Sequence, residues 1–360
     1  MTKSIRNNAK VGFILDHPLM HYRRAFFQQL ASAGFEITIF HSGEILNNIE
    51  GTTQTRVEIV KYRGIDFRKL PSFKSFDIIV CMQNMRLINL WLLSLNPFRT
   101  FKLIHWGIGV SSSRGLNPNR TFISEIRNLL AKCASAQILY SPYALHLFSS
   151  QVRLKTFIAN NTVDNPSSAN LSSESKDGIL FIGALNRRKG LDILVRSFLR
   201  FVEEYKPLRI RMLRIIGEGE MKQQLIEIIE GSQYKSLVKF VGKLEDNRQK
   251  LEYFSSSVAC VSPKQAGLSV LESFSYGVPF VSFTDCISGG EHLNIVNGYN
   301  GYLVSSEDDL IEIFRTLDAN SELGRQLGEN AFNYYNSKRK MENMVSSFEE
   351  ALNYVLKNKN

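Results

Sequence analysis

The chain has 360 residues, 44% of them apolar, 22% charged and 11% aromatic. This is the composition of ordinary globular proteins, which excludes disordered, collagen-like and disulfide-stapled chains, and the length predicts two domains. The formal net charge of +10 lies in the first half: residues 1–165 hold 20 Lys+Arg and 9 Asp+Glu (net +11), whereas residues 166–360 hold 24 and 25 (net −1).

The first half predicts alternating strands and helices. An apolar stretch at residues 11–15 is followed by a loop, a helix at residues 24–33, Gly34 and a second strand at residues 35–40. Strand, helix and strand within about 30 residues form a βαβ unit, which favours a parallel sheet. Further buried strands are predicted at residues 76–81, 101–105, 136–140 and 156–159.

A change of composition at residues 161–178, rich in Asn, Asp, Pro and Ser, predicts a linker. Beyond it the alternation restarts, with helices predicted at residues 191–205, 220–230 and 247–255 and another starting near Ser269. The last 20 residues predict an amphipathic helix with Met344, Phe348, Leu352 and Val355 on one face. We therefore expect an N-terminal domain at 1–165, a C-terminal domain at 166–340 and a terminal helix at 341–360.

Two doubly wound domains imply a central cleft, with ligands at the carboxyl ends of the strands. In the second domain, Gly183 ends a strand and Arg187, Arg188 and Lys189 precede Gly190 and a helix. Cations at such a turn can clamp a diphosphate, although a solvated basic turn would have the same sequence.

The stretch 262–283 (SPKQAGLSVLESFSYGVPFVSF) is the most specific in the chain. Amide groups around Gly267, Leu268 and Ser269 would be free to hold an anion at a helix start. Glu272, one turn further, could accept hydrogen bonds from a vicinal diol such as a ribose, or simply be a solvated glutamate.

Residues 178–304 resemble the nucleotide-sugar domain of GT-B glycosyltransferases, specifically the retaining family 4. The motifs occur in that family's order: FIG…KGLDILVRSF, LRIIGEGEMKQQL, VKFVGKLEDNRQKLEYFSSSVACVSP, GLSVLESFSYGVPFV and NGYNGYLV. The first half is more loosely similar, through DHPLMHYRRAFFQQLASAGFEITIF and KLIHWGIGVSSSRG. The resemblance implies a GT-B fold whose terminal helix crosses back to the first domain.

The resemblance also implies site residues. Lys189 would contact the donor diphosphate, Gly267 to Ser269 would face the phosphates, and Glu272 matches the second glutamate of the Glu-x7-Glu motif. The first glutamate of that motif, which faces the donor sugar, is Lys264 here. We treat Lys264 and His105, which falls near the family's loop histidine beside the transferred sugar, as the catalytic candidates. On the acceptor side we expect His17, His21 and Gly107.

No His-x-x-His, Cys-x-x-Cys or Asp-x-Asp spacing occurs, so we expect neither a metal nor another cofactor. The longest apolar run, residues 87–95, is half of the roughly 18 residues that a membrane span needs. With no signal-like start and four lone cysteines, we expect a cytoplasmic protein.

The basic first half indicates an anionic partner. No nucleic-acid-binding motif is present, so we expect no nucleic acid. Residues 85–99 and 120–132, where Arg86, Arg99, Arg120 and Arg127 alternate with aromatic side chains, could instead dock weakly on the inner face of an anionic membrane. The same stretches could equally be helices whose apolar faces are core.

The sequence therefore predicts a glycosyltransferase, with a nucleotide-diphosphate sugar as donor and a glycan or lipid-linked oligosaccharide as acceptor. We expect it to act in surface polysaccharide synthesis, in O-antigen or capsule, and to retain the anomeric configuration. Two alternatives stay open: a nucleotide-sugar epimerase of the same fold, and a degenerate, non-catalytic binding protein, which Lys264 would explain. A dinucleotide oxidoreductase is disfavoured because no Gly-x-Gly-x-x-Gly follows the first strand.

Overall fold

The computed structural model describes residues 8–46, 49–111, 116–165 and 176–358. The chain divides into two units. The N-terminal unit comprises Met1–Asp164 and Lys340–Asn360, and the C-terminal unit comprises Asn165–Arg339. The first unit thus ends at Asp164, inside the stretch where the sequence predicts a linker.

A seven-stranded sheet forms the centre of the N-terminal unit, in the order β3-β2-β1-β6-β7-β8-β9. Every pairing in this sheet is parallel. Its strands are β1 (Ala9–Ile14), β2 (Phe35–His41), β3 (Thr52–Arg56), β6 (Ile78–Met82), β7 (Lys102–Gly107), β8 (Ala136–Leu139) and β9 (Thr156–Ile158). A separate antiparallel hairpin consists of β4 (Ile59–Tyr62) and β5 (Ile65–Arg68).

The helices of this unit are α1 (Arg24–Ser32), α2 (Ile88–Leu95), α3 (Phe122–Cys133), α4 (Ser150–Arg153) and α11 (Met341–Lys357). The apolar face predicted for the terminal helix is buried: Met344, Phe348, Leu352 and Val355 are each at most 1% exposed. Phe348 lies in an aromatic cluster, 4.7 Å from Phe26 and 5.1 Å from Trp106 between ring centroids. The chain therefore returns to the first unit to complete its core.

The C-terminal unit has a six-stranded parallel sheet in the order β12-β11-β10-β13-β14-β15. The strands are β10 (Gly178–Ile182), β11 (Met212–Ile216), β12 (Val238–Gly242), β13 (Ser257–Val261), β14 (Phe280–Phe283) and β15 (Gly301–Val304). The helices are α5 (Leu191–Tyr205), α6 (Lys222–Glu230), α7 (Asn247–Ser255), α8 (Ser269–Ser275), α9 (Glu307–Ala319) and α10 (Ser321–Lys338).

Both sheets are doubly wound, so the predicted α/β class with two Rossmann-like domains is confirmed. In each sheet the strand order reverses beside the first strand, between β1 and β6 in one unit and between β10 and β13 in the other. Ligands of such sheets bind where the strand order reverses, at the carboxyl ends. Among the described residues, no helix has the length and apolar character to cross a bilayer.

Candidate functional site

The carboxyl end of β10 leads into the basic turn that the sequence singles out. Gly183 has φ +146° and begins the turn, a short 3-10 helix spans Arg187–Lys189, and Gly190 has φ +67°. A side chain at Gly190 would be strained, and its Cβ would lie 2.8 Å from Lys264 Cγ. Glycine is thus required where the turn passes close to the end of β13.

Lys189 is the least exposed cation of this turn, whereas Arg187 and Arg188 are exposed. A Cβ at Gly183 would lie 3.7 Å from Lys189 Nζ, so the ammonium group lies over the end of β10. Burial lowers the pKa of Lys189, and Cys260 and Glu291 oppose that shift. Because desolvation disfavours its charged form, this ammonium group would gain from an anion placed beside it.

Lys264 lies next to Lys189, and the contact runs through the backbone: Lys264 N donates to Lys189 O over 3.1 Å. Lys264 Nζ forms an ion pair with Asp285 at 3.0 Å and lies 4.7 Å from the centroid of Phe283. Sequence reasoning did not single out Asp285, which follows β14. Its carboxylate is the partner of the lysine that stands where the resemblance leads us to expect a glutamate.

Glu272, in α8, is half-buried and forms an ion pair of 2.7 Å with Lys250 of α7, whose side chain is 15% exposed. Lys250 was missed by the sequence analysis, because nothing in its local pattern distinguishes it from a solvated helix lysine. Its ammonium group orients the Glu272 carboxylate. The ribose-binding role of Glu272 stays a prediction.

The Gly267–Ser269 segment precedes and opens α8. A Cβ at Gly267 would have no atom within 4 Å among the described residues, so the backbone there is open to a ligand. Ser269 Oγ is buried without a hydrogen-bond partner in the described part of the chain. Contact of Gly267, Leu268 and Ser269 with phosphates stays a prediction.

In the N-terminal unit the predicted acceptor-side residues are Gly107 at the end of β7, His17 in the loop after β1, and His21 at the start of a 3-10 helix. Gly107 ends β7 and lines a cavity of about 230 Å³, described below. His17 Nδ1 lies 2.6 Å from the carbonyl oxygen of Pro18, and its Nε2 lies 3.8 Å from Asp16 Oδ1. His21 is exposed, and neither histidine is among the residues that line the cavity.

His105 does not have the position that the sequence predicts. It is 1% exposed, its Nε2 lies 2.8 Å from Ser94 Oγ of α2, and burial lowers its pKa to about 3. Side chains alternate along a strand, so Trp106 faces the cavity and His105 faces the core under α2. The structure thus gives no support to the catalytic role expected of His105 beside the transferred sugar, and that role stays a prediction.

Among the described residues, no three His, Cys, Asp or Glu side chains cluster as a metal site would require. The charges around the end of β10 are cationic: Lys189 Nζ lies over Gly183, and Arg187 and Arg188 lie on the same turn, whereas Lys264 is paired with Asp285. This arrangement can hold a phosphate group without a metal.

Residues 164–334 match the family model described as glycosyl transferases group 1. An uncharacterized glycosyltransferase of Haemophilus influenzae is 28% identical over 177 residues, which are 48% of this chain and 48% of that protein. The chain thus spans about half the length of the curated relatives it matches.

Solved structures resemble the whole chain at low identity. Sucrose-phosphate synthase from Thermosynechococcus elongatus aligns with a TM-score of 0.72 and 16% identity over 98% of this chain and 100% of that one. Anabaena HepE, solved in complex with UDP, aligns with a TM-score of 0.71 and 14% identity over 96% and 99%. At these identities the likeness shows the fold alone. The chain therefore has a GT-B fold, and its residues 164–334 match the model of glycosyl transferases group 1.

Proposed function

We propose that the protein is a glycosyltransferase that moves a sugar from a nucleotide-diphosphate sugar to a glycan or lipid-linked acceptor. The observation that carries the proposal is the ammonium group of Lys189, which lies over Gly183 at the end of β10, inside the region that matches the family model. The bound UDP of the Anabaena relative supports a nucleotide donor.

In the proposed reaction the bond between the anomeric carbon and the phosphate oxygen breaks, and the diphosphate leaves with the electron pair. Lys189, Arg187 and Arg188 stabilise the charge that develops on it, as preorganised cations do. The acceptor hydroxyl forms the new bond to the anomeric carbon. We further propose attack on the same face, with the hydroxyl proton passing to the departing phosphate oxygen, which retains the configuration and needs no histidine base.

The proposed donor pocket also gives Glu272 and Lys264 roles. Glu272, oriented by Lys250 at 2.7 Å, accepts hydrogen bonds from the two ribose hydroxyls. Lys264 lies where the donor sugar would meet the diphosphate, and its pairing with Asp285 leaves that place close to neutral. The same pairing is the observation that favours the second candidate, a binding protein without turnover.

Nucleotide binding tests the proposed donor site. We expect one of UDP, GDP, dTDP and CMP to raise the melting temperature, since a ligand of the native state stabilises it by mass action. Lys189→Gln should abolish the shift. The matched control is Lys235→Gln, which removes a 57% exposed lysine paired with Glu230 in the same unit. A shift that survives Lys189→Gln, or is absent with every nucleotide, would contradict the assignment.

We also propose that the enzyme works at the cytoplasmic face of the membrane, on a precursor of surface polysaccharide such as O-antigen or capsule. In support, Phe98 and Phe122 are 88% and 81% exposed in the two stretches that the sequence marks as basic and aromatic. Arg120, 69% exposed, precedes Phe122. Exposed aromatic side chains beside cations are typical of proteins that dock on anionic bilayers.

Sedimentation with vesicles of phosphatidylglycerol and phosphatidylcholine tests the docking surface. We expect binding at low salt that weakens at 0.5 M NaCl, because each cation near the bilayer contributes about 1 kcal/mol that salt screens. We expect the double variant Phe98→Ser/Phe122→Ser not to bind. Leu208→Ser, a change at a 78% exposed residue of the other unit, should bind like the wild type. Equal binding of both variants would show that these residues do not meet the membrane.

A further inference from the structure

A cavity of about 230 Å³ lies in the N-terminal unit, at the carboxyl ends of β1, β6, β7 and β8. Asp16, Gln83, Trp106 and Tyr140 line it from these four strand ends, and Arg127 lines it from α3. A second cavity of about 110 Å³ shares Arg127 and Ser111 with it. The unit therefore has a site of its own where its strand order reverses.

Arg127 is the unusual residue of this cavity. It is 3% exposed, its Nη2 donates to Ser111 Oγ over 2.9 Å, and its Nε has no hydrogen-bond partner within the described ranges. Burial alone accounts for the lowering of its pKa to about 10, with no contribution from a neighbouring carboxylate. Arg120, on the same segment, is exposed and pairs with Glu125 at 3.8 Å.

The sequence groups Arg127 with cations that could meet a membrane, and the structure corrects that interpretation. A buried guanidinium normally has a carboxylate beside it, because an uncompensated charge in the interior is costly. Here the described residues supply only a serine hydroxyl. Such a group, facing a cavity, is the natural partner of an anion that arrives with a ligand.

Other atoms of the cavity wall lack partners as well. Asp16 Oδ1 and Gln83 Oε1 are buried hydrogen-bond acceptors, and Trp106 Nε1 is a buried donor, each without a hydrogen-bond partner in the described part of the chain. Asp16 is held by its other oxygen, which accepts from Asn84 Nδ2 over 2.8 Å. Among the described residues, Asp16 Oδ1 has only the ion-pair contact of 3.8 Å with His17 Nε2, so the polar side chains of this wall keep hydrogen-bonding capacity of both kinds, which is complementary to hydroxyl groups.

We propose that this cavity binds the acceptor of the transfer reaction and that the acceptor carries a phosphate group, which Arg127 holds. The hydroxyl groups of the same molecule, a phosphorylated polyol or sugar, meet Asp16, Gln83 and Trp106. The proposal rests on the proposed function and names the substrate class of that site. The phosphate belongs either to a free sugar phosphate or to a lipid head group, which share this chemistry.

Trp106 provides a local probe, because it lines the cavity and the chain has only 2 tryptophans. In a Trp91→Phe background we expect glycerol 3-phosphate to change the emission of Trp106 saturably. Glycerol, and NaCl at matched ionic strength, should have no such effect. Arg127→Gln should weaken the response at least ten-fold, whereas Arg120→Gln should leave it unchanged.

Two additions keep the test decisive. If Arg127→Gln fails to fold, Arg127→Lys should retain binding of glycerol 3-phosphate at reduced affinity, because the charge is kept and the forked geometry is lost. Vesicles of phosphatidylglycerol form the second arm. A response to the free phosphate alone identifies a soluble acceptor, and a response to the vesicles identifies a lipid-linked one, in each case provided that it depends on Arg127.

Failure of the phosphate subsite can be distinguished from failure of the proposed function. UDP, GDP, dTDP and CMP report on the donor unit, and Arg127→Gln should bind the preferred nucleotide as the wild type does. Loss of every nucleotide response in the wild type would contradict the transferase. Nucleotide binding with no Arg127-dependent response to glycerol 3-phosphate or to the vesicles would overturn the phosphate subsite and leave the donor site standing.

Discussion

The terminal helix α11 makes a quantitative prediction, because Phe348 is fully buried in the aromatic core of the N-terminal unit. Its ring centroid lies 4.7 Å from that of Phe26 and 5.1 Å from that of Trp106. Truncation of a buried Phe to Ala costs about 3–5 kcal/mol, as transfer free energy plus the energy of the cavity left behind. Since domains unfold with only about 5–15 kcal/mol, Phe348→Ala should remove a large part of the stability of this unit.

Urea unfolding followed by tryptophan fluorescence measures this loss, since both tryptophans, Trp91 and Trp106, belong to the N-terminal unit. A loss of about 4 kcal/mol and a slope of about 2.5 kcal/mol per M predict a midpoint lower by about 1.6 M. Ser346→Ala, at an exposed position of the same helix, should shift the free energy of unfolding by no more than about 0.5 kcal/mol. Equal midpoints for the two variants would refute the placement of α11 in this core.

Three further results are expected. Glu272→Ala should weaken UDP-type nucleotide binding at least ten-fold, since two hydrogen bonds to a carboxylate are lost, and leave the binding of inorganic pyrophosphate unchanged in calorimetric titrations. Burial lowers the pKa of His105 from 6.5 in the unfolded chain to about 3 in the folded state. The free energy of unfolding is therefore highest above pH 6.5 and falls as the pH is lowered below that value. The free energy of unfolding should therefore fall by about 1–2 kcal/mol between pH 6.5 and 5, and His105→Gln should reduce that dependence. Gly190→Ala should lower both the melting temperature and the nucleotide affinity, because the added Cβ would lie 2.8 Å from Lys264 Cγ. The control is Gly298→Ala: Gly298 has φ +72°, and no described atom lies within 4 Å of the added Cβ, so only the melting temperature should fall.

The sequence predicts those helices and strands whose burial leaves a pattern of apolar residues. Strands covered on both faces read as nearly continuous apolar runs, so β1, β6 and β10 were identified mainly from Val, Ile, Leu and Phe. The edge strand β3 (TTQTR) was missed because it is largely polar and its pairing with β2 comes from the backbone. Helix α10 was missed for a similar reason, since few of its 18 residues are apolar.

The candidate site could be predicted only in part. Local motifs and the family resemblance identified Lys189, Lys264 and Glu272. The ion-pair partners of Lys264 and Glu272, which are Asp285 and Lys250, come from another strand end and another helix, and no spacing along the chain predicts such contacts. Position along a strand also misled the analysis at His105, where β7 turns the imidazole toward α2 and presents Trp106 to the cavity.

The sequence also does not show which individual charged residues are buried. The charge imbalance of the first half is correct as a count, but it does not separate exposed cations from buried ones. Arg120 meets solvent, whereas Arg127, seven residues later, is enclosed. Only the packing of α3 against the strand ends distinguishes Arg120, which is available to a surface partner, from Arg127, which we propose to hold a ligand.

Release of nucleoside diphosphate from a panel of nucleotide sugars tests the central claim most directly. We predict release from one donor series, stimulated by the phosphorylated or lipid-linked acceptor and lowered about 10²–10³-fold in Lys189→Gln, with the sugar recovered in the acceptor fraction. Lys235→Gln should match the wild type. Isomerised sugar still attached to its nucleotide, or nucleotide binding with no release at all, would contradict glycosyl transfer.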